Sequence, residues 1–252
     1  MTTWHIVPTG ISILQKFDVK KWPDLHVTLA DRKSRPALHA KYKPSPANIS
    51  AEREGLLGVP LDLADAHIIF LSSDTLDGRS AARLNAVLWA ADFGEATFGD
   101  VIPNVAVLVL TIKDLDPADS IKFRSGMAGL ARFFRSLGER VDQGSEVVVH
   151  LSGGFKATIP YLIKLAELLQ SKFAEQAPPP ELTARIRWEG AAHTLPVPLQ
   201  RIDLGHMWRE LYSKLEPGER RLFGHGYLYP GAYGKNLTEL GEAVAAFLPG
   251  PP

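Results

Sequence analysis

The stretch VVVHLSGGFKATIPYLIKLAELL, residues 147–169, decides the fold of this chain. It begins as a β-branched run typical of a strand buried on both faces and ends with apolar residues at helical spacing. Gly153, Gly154 and Lys156 lie between these halves, where glycines mark a tight turn. Free N–H groups at a helix start, with a cation beside them, attract phosphate. The loop therefore predicts a phosphate-binding turn or, equally well by itself, a plain turn with a solvated lysine.

Strands and helices alternate along the rest of the chain. Apolar runs predict strands at WHIVP (4–8), AHIIFLSS (66–73) and NVAVLVLTI (104–112). Amphipathic segments predict a helix capped by Asp77 and a long helix capped by Asp119 or Ser120. This βαβ order predicts an α/β fold, a mostly parallel sheet with helices on both faces.

The last third of the chain reads differently. Three prolines in AEQAPPPEL (174–182) end the helical pattern. Next, TARIRWEG (183–190) and HTLPVPLQRI (193–202) predict a hairpin at a sheet edge, because their prolines do not suit a central strand.

We expect a main domain over residues 1–202 and a small C-terminal appendage over residues 203–252. The appendage reads as a helix, a hairpin turning near Pro230–Gly231, and a last helix capped by Asn236 or Thr238.

Composition excludes several classes of protein. The 28 basic and 28 acidic residues balance, which argues against a long nucleic acid held by its backbone but allows a small polyanion. The absence of cysteine removes disulfides, thiolate nucleophiles and cysteine-ligated zinc. No signal peptide or long apolar run is visible, so we expect a cytoplasmic protein that does not enter the membrane.

Polar loops follow the other strands as well. Thr9, Gly10 and Ser12 follow the first predicted strand, and Ser72–Thr75 follow the second. Ligands of such sheets bind beyond the carboxyl ends of the strands, so these loops and the glycine loop can together line one nucleotide-binding pocket. Neither a P-loop nor a dinucleotide fingerprint is present, because Ala157 follows Lys156 and only two adjacent glycines occur.

These residues resemble the CARF family, the CRISPR-associated Rossmann fold. HLSGGFKATIPYL (150–162) resembles the family's strand, TGGFK and helix motif, with Ser152 in place of threonine. IVPTGISIL (6–14) resembles its first loop, although Pro8 and Ile11 depart from it. Further matches, together spanning roughly residues 4–170 in the family's order, are ISAEREGLL (49–57), IIFLSSDTLDGRSAARL (68–84) and KFRSGMAGLARFF (122–134). YGKNLTELGEAV (233–244) resembles the ending of many small members.

The resemblance implies a Rossmann-like homodimer that binds a cyclic oligoadenylate, with the tetra-adenylate ring preferred over the hexa-adenylate. It places ligand-binding residues on the strand-end loops. They are Thr9, Gly10, Ile11, Ser72, Ser73, Asp74, Thr75, Ser152, Gly153, Gly154, Phe155 and, on a helix, Arg124. No convincing HEPN ribonuclease motif accompanies them, since Arg220, Arg221 and His225 fall in a predicted hairpin. The chain thus resembles free-standing CARF ring nucleases.

Ring nucleases of this kind implicate a serine of the first loop and the lysine of the fourth-strand loop. Ser12 and Lys156 match those positions, so the resemblance implies that they are catalytic, without metal or cofactor. A catalytic His5 or His150 stays an alternative to a structural role. Asp74 is expected to cap the next turn or contact a ribose, and Arg79 and Arg83 to be solvated or to reach phosphates. The alternative function is a CARF sensor that binds the ring without cleaving it and regulates a partner or transcription.

Overall fold

The computed structural model describes residues 2–17, 24–44, 49–59, 65–99, 104–154, 156–187, 191, 193–205, 207 and 239–248. The strands are β1 (Thr3–Pro8), β2 (Ala66–Ser72), β3 (Gly94–Thr97), β4 (Val107–Thr111), β5 (Glu146–His150), β6 (Glu181–Ile186) and β7 (Leu195–Val197). The helices are α1 (Ser12–Lys16), α2 (Leu25–Ala30), α3 (Arg35–Tyr42), α4 (Ala51–Leu57), α5 (Leu76–Trp89), α6 (Ser120–Arg140), α7 (Ile159–Phe173) and α8 (Glu239–Phe247). Short 3₁₀ turns are formed by Arg32–Ser34 and Lys156–Thr158.

Within the described residues, seven strands form one sheet in the order β3-β4-β2-β1-β5-β6-β7. Every pairing is parallel except that of β6 with β7. The chain builds the sheet outward from β1 through β2 and β4, and then returns to the other side of β1 with β5. The carboxyl ends of β1 and β5 therefore form a topological switch point, where ligands of open α/β sheets bind.

The sheet buries both of its faces. Ile6 and Val7 are neighbours on β1, yet Ile6 packs in the core shared with α6 and α7, and Val7 packs in the core shared with α2, α3 and α5. The alternation follows from the two-residue period of a strand. The predicted α/β fold, a mostly parallel sheet with helices on both faces, is confirmed.

The predicted edge hairpin is also confirmed. β6 pairs antiparallel with β7, and Pro196 lies opposite Arg185 in the outermost strand. A proline is tolerated there because an edge strand does not need every N–H for pairing. β3 was not predicted: it has four residues, none of them fully buried, and so lacks the apolar run that marks a strand.

The helix caps agree in part with the sequence. Asp119 caps α6, because its side chain accepts from the N–H groups of Ile121 and Lys122. The prediction of Asp77 as a cap was wrong: Thr75 is the N-cap of α5 and accepts from Gly78 N, while Asp77 lies in the first turn. Threonine in the extended conformation just before a helix is one of the preferred N-cap residues.

The last helix packs on the main body of the protein. Ala243, Val244 and Phe247 are buried in the same core as β1, β5 and α6. The division at residue 202 stays a prediction, since the predicted hairpin near Pro230–Gly231, the capping residues Asn236 and Thr238, and Arg220, Arg221 and His225 lie outside the described residues. In the described part of the chain, no helix combines the length and apolarity needed to cross a membrane.

Candidate functional site

The loops after β1 and β5 meet at the switch point. A Cβ atom added to Gly10 would lie 3.2 Å from the carbonyl oxygen of Gly154, so the two backbones are almost in contact. Gly154 has φ +87° and faces Pro8, whose Cβ would lie 2.9 Å from an added Cβ. Glycine is required there both by the backbone conformation and by the lack of space.

A buried glutamate joins these two loops. Glu52 Oε1 accepts from Gly10 N at 2.7 Å and from Gly154 N at 3.3 Å. The side chain is only 1% exposed, and burial raises the pKa of its carboxyl group. Its position is set by α4, because the hydroxyl of Ser50 caps that helix by accepting from Arg53 N at 3.0 Å. Glu52 is therefore a functional-site candidate that the sequence reasoning did not name.

The signal for Glu52 was present but ambiguous. It lies in ISAEREGLL, residues 49–57, where a serine followed by acidic residues reads as an ordinary helix start. A glutamate in a first helical turn is usually solvated, and only the tertiary structure turns this one inward. The resemblance marked the segment without giving the residue a role.

The two residues predicted to be catalytic are exposed, one after each loop. Ser12 is the first residue of α1, and Lys156 is the first residue of the 3₁₀ turn that leads into α7. Ile11, between Gly10 and Ser12, is 49% exposed. The carboxyl ends of β1 and β5 are therefore followed by an exposed hydroxyl, an exposed ammonium and an exposed apolar side chain, each within two residues of Gly10 or Gly154. Phe155 lies outside the described residues.

Several polar groups of these loops already have partners inside the protein. The hydroxyl of Thr9 donates to the carbonyl of Leu71, and Ser152 Oγ accepts from Arg187 N at 2.6 Å. The N–H of Gly154, predicted as a phosphate donor, donates to Glu52. These groups hold the loops in place, and their roles toward a ligand stay predictions.

The loop after β2 has its own hydrogen bonds. Ser72 is buried and donates to the carbonyl of Ser73 at 2.7 Å. Ser73 Oγ lies 3.0 Å from Thr75 Oγ1, which also accepts from Gly78 N at 3.0 Å. The hydroxyls thus stabilise the turn into α5.

Asp74 links that loop to the loop after β4. Its Oδ2 accepts from Asp114 N at 3.2 Å, and its Oδ1 is 2.6 Å from Arg79 Nη1. Its backbone N–H donates to Leu115 at 2.8 Å. Asp74 therefore does not cap the helix; its contacts are with a neighbouring loop and an arginine of α5.

The other candidate arginines also form ion pairs. Arg83 donates to Glu95 Oε2 from Nε at 2.9 Å and from Nη2 at 2.7 Å. Arg124 Nε is 3.4 Å from Glu242 Oε2, which lies on α8. Arg124 thereby connects α6 with the last helix, and its assignment to a ligand stays a prediction.

The two histidines form a buried pair between β1 and β5. His5 Nδ1 and His150 Nε2 are 3.1 Å apart. Burial, aided by the positive charge of Arg185, lowers the pKa of His5 to about 4. Burial, then His5 and Arg185, lower the pKa of His150 to about 3. The pair is neutral at physiological pH and fits the structural role that the sequence favoured.

Among the described residues, no three histidine, aspartate or glutamate side chains are grouped closely enough to hold a metal ion. The arrangement at the switch point instead offers a cation and a hydroxyl, which suit an anionic ligand.

Comparison with known proteins gives a family. The model of the family described as CRISPR-associated protein (Cas_APE2256) matches residues 47–174, just over half of the chain. The matched region begins before α4, which carries Glu52, and extends beyond the glycine loop and through α7. A search of curated proteins found no match. On the family match, this chain belongs to the CRISPR-associated Cas_APE2256 family.

Proposed function

We propose that this protein binds a cyclic oligoadenylate at the carboxyl ends of β1 and β5 and cleaves it. The observation that carries the proposal is the close approach of the loops of Gly10 and Gly154, with exposed Ser12 and Lys156 two residues after these glycines. Membership of a CRISPR-associated family supports it, because it agrees with the resemblance to CARF proteins, which implies a cyclic oligoadenylate ligand. The balanced net charge fits a short polyanion held by a few local cations.

The ligand would contact these strand-end loops in both subunits of a homodimer. A ring of identical nucleotides has rotational symmetry, and a two-fold homodimer presents the same loops twice to such a ligand. The tetra-adenylate ring is the first candidate, with the hexa-adenylate ring as the comparison. Ile11 supplies an exposed apolar side chain on which an adenine can pack.

Cleavage would proceed by transfer within the ring. A ribose 2′-hydroxyl loses its proton and attacks the adjacent phosphorus, which forms the P–O2′ bond. The P–O5′ bond breaks, and O5′ takes up a proton to become a 5′-hydroxyl. The products are linear adenylates with a 2′,3′-cyclic phosphate end, and the reaction consumes no water, oxidant or metal.

The protein's part in this reaction is positioning and charge stabilisation. The ammonium of Lys156 would offset the negative charge that develops on the phosphoryl oxygens. The hydroxyl of Ser12 would orient the 2′-hydroxyl or the phosphate for in-line attack. His5 and His150 are not assigned an acid or base role, because both are buried in the sheet as a neutral pair.

A second candidate is a sensor that binds the ring intact. One observation favours it: Glu52 takes the N–H groups of Gly10 and Gly154, so neither is free to stabilise a transition state at the phosphate. Such a protein would hold the ring through Lys156 and the loop surfaces alone and would act by regulating a partner.

One experiment separates the candidates. The purified protein is incubated with cyclic tetra-adenylate or hexa-adenylate in the presence of EDTA, and the nucleotides are separated by chromatography. Linear products with a cyclic phosphate end are the expected result. Intact rings that co-elute with the protein would establish the sensor instead. Rings that neither bind nor react would overturn both candidates.

A further inference from the structure

The contact between Glu52 and the two glycine loops has no role in the reaction described above. Oε1 accepts two backbone N–H groups, one from the loop after β1 and one from the loop after β5. These loops are 144 positions apart between Gly10 and Gly154, and they belong to strands on the two sides of the switch point. One carboxylate oxygen therefore fixes the distance between two segments that are remote in sequence.

Keeping this carboxylate buried is costly. Its side chain is 1% exposed, and Oε2 has no hydrogen-bond partner among the described residues. A buried polar atom without a partner destabilises the folded state. An apolar residue here would leave the N–H groups of Gly10 and Gly154 without their acceptor, so the carboxylate is more than a packing group.

The loop after β5 is shaped to accept this side chain. A Cβ added to Gly153 would lie 2.5 Å from Glu52 Oε1 and 2.6 Å from its Cδ. Any side chain at position 153 would push the carboxylate out of its place. Gly153 thus provides the space for Glu52, and Gly154 provides one of its two donors.

We propose that Glu52 is the positioning residue of this site. Its carboxylate fixes the separation of the Gly10 and Gly154 loops and thereby the positions of Ser12 and Lys156, which follow them. The effect on cleavage rests on the function proposed above, whereas the effect on the loops does not. Catalysis depends on such spacing, because a displacement of about 1 Å can lower a rate about 100-fold.

Glu52 acts here as a hydrogen-bond acceptor for two backbone N–H groups, a role that a neutral carbonyl oxygen can also fill. Burial raises the pKa of its carboxyl group, so the surroundings disfavour the charged form. A glutamine has the same length and keeps a carbonyl oxygen in reach of both N–H groups. An aspartate keeps the carboxyl group but is one methylene shorter and cannot reach both loops.

The variants Glu52→Ala, Glu52→Gln and Glu52→Asp separate these properties. With cyclic tetra-adenylate and EDTA, we expect kcat to fall about 100-fold for the alanine variant and at least about tenfold for the aspartate variant. The glutamine variant should stay within about threefold of the parent. Val87→Ala is the control for lost stability, because Val87 of α5 is fully buried and its truncation destabilises the fold without touching the glycine loops. Its kcat should match that of the parent.

Three outcomes would overturn the inference. The first is an alanine variant that cleaves like the parent. The second is an aspartate variant that stays active while the glutamine variant fails, since the charge would then be decisive. The third is a Val87→Ala variant as impaired as Glu52→Ala, because general destabilisation would then explain the loss.

A measurement without ligand tests the same idea if the ring is neither bound nor cleaved. The amide hydrogens of Gly10 and Gly154 are followed by hydrogen exchange in the parent and in all three Glu52 variants. We expect protection of both amides in the parent and in Glu52→Gln, and loss of it in Glu52→Ala. Unchanged protection in Glu52→Ala would overturn the positioning role, and failure of the parent to use the ring would overturn only the proposed function.

Discussion

Lys156 is the exposed cation that follows the β5 loop, and the proposed reaction needs positive charge at that place. We expect Lys156→Ala to lower kcat for ring cleavage about 100-fold or more, as removal of one donor to a developing charge does. Lys172→Ala is the matched control, because Lys172 lies in the last turn of α7, the helix that follows Lys156. Parental turnover in Lys156→Ala would remove the role assigned to this lysine.

Gly154 carries two constraints that can be separated. Its φ of +87° disfavours any side chain, and an added Cβ would also meet Pro8 at 2.9 Å. Gly144 has φ +76° but open space around it. We expect Gly144→Ala to cost about 1 kcal/mol of unfolding free energy and Gly154→Ala about 2–3 kcal/mol. Urea unfolding of both variants measures this difference, and equal costs would contradict the steric part.

Single residues show which features of the β5 loop could be read from the sequence. Gly153 and Gly154 were identified because glycine pairs between a strand and a helix demand a special backbone. Glu52 was not, since nothing local distinguishes a buried glutamate from a solvated one. Thr75 and Asp77 are both good capping residues, and only the backbone around Thr75 decides between them.

The pairing of β1 with β5 brings His5 and His150 together and makes the stability of the fold depend on pH. Both pKa values are lowered in the folded state, to about 4 and about 3, from an unfolded value near 6.5. Below about pH 6.5 the unfolded chain therefore binds more protons than the folded protein, so the free energy of unfolding falls as pH falls. Above that pH the pair contributes no slope.

Between pH 6.5 and pH 5, each histidine should lower the unfolding free energy by about 2 kcal/mol. Urea unfolding at several pH values measures this loss in the parent. The double variant His5→Phe/His150→Leu should lose most of the slope, whereas His193→Gln, at an exposed position, should keep it. A slope unchanged in the double variant would assign the pH dependence to other groups.

The elements that sequence patterns predicted are those with strong local signals. β2, β4 and β5 are almost entirely buried and read as apolar runs. α6 was found from its apolar spacing and its cap at Asp119. β3 was missed because its pairing with β4 comes from the tertiary fold and not from its own residues. The short helices α1 to α4, inserted between β1 and β2, were not predicted either, because their own residues carry no strong local signal.

The C-terminal helix α8 contributes to the core of the whole molecule. Phe247 is 2% exposed and lies in the same core as Met127 and Phe134 of α6. We expect Phe247→Ala to lower the unfolding free energy of the protein by about 3–5 kcal/mol in a single cooperative transition. Leu195→Ala, on the exposed edge strand, should change it by less than about 0.5 kcal/mol. A Phe247→Ala protein as stable as the parent would mean that α8 folds independently of the sheet.

Much of the architecture followed from chain order alone. Alternating strands and helices restrict the sheet to few topologies, and parallel crossovers place the loops at one edge. The hydrogen bonds that connect those loops did not follow, because they join residues such as Gly10, Glu52 and Gly154 that are far apart in sequence. The order of strands thus predicted which loops lie at the carboxyl ends of the sheet, and tertiary contacts determine the spacing of those loops.

The outermost strand β7 also limits how copies of this protein can associate. An uncovered sheet edge normally invites another chain to add a strand, which is a common route to aggregation. β7 has three residues with Pro196 at its centre, and proline cannot donate the hydrogen bond that strand addition needs. Association through a continuous intermolecular sheet is therefore disfavoured on this side. The homodimer proposed above is therefore expected to form through another surface.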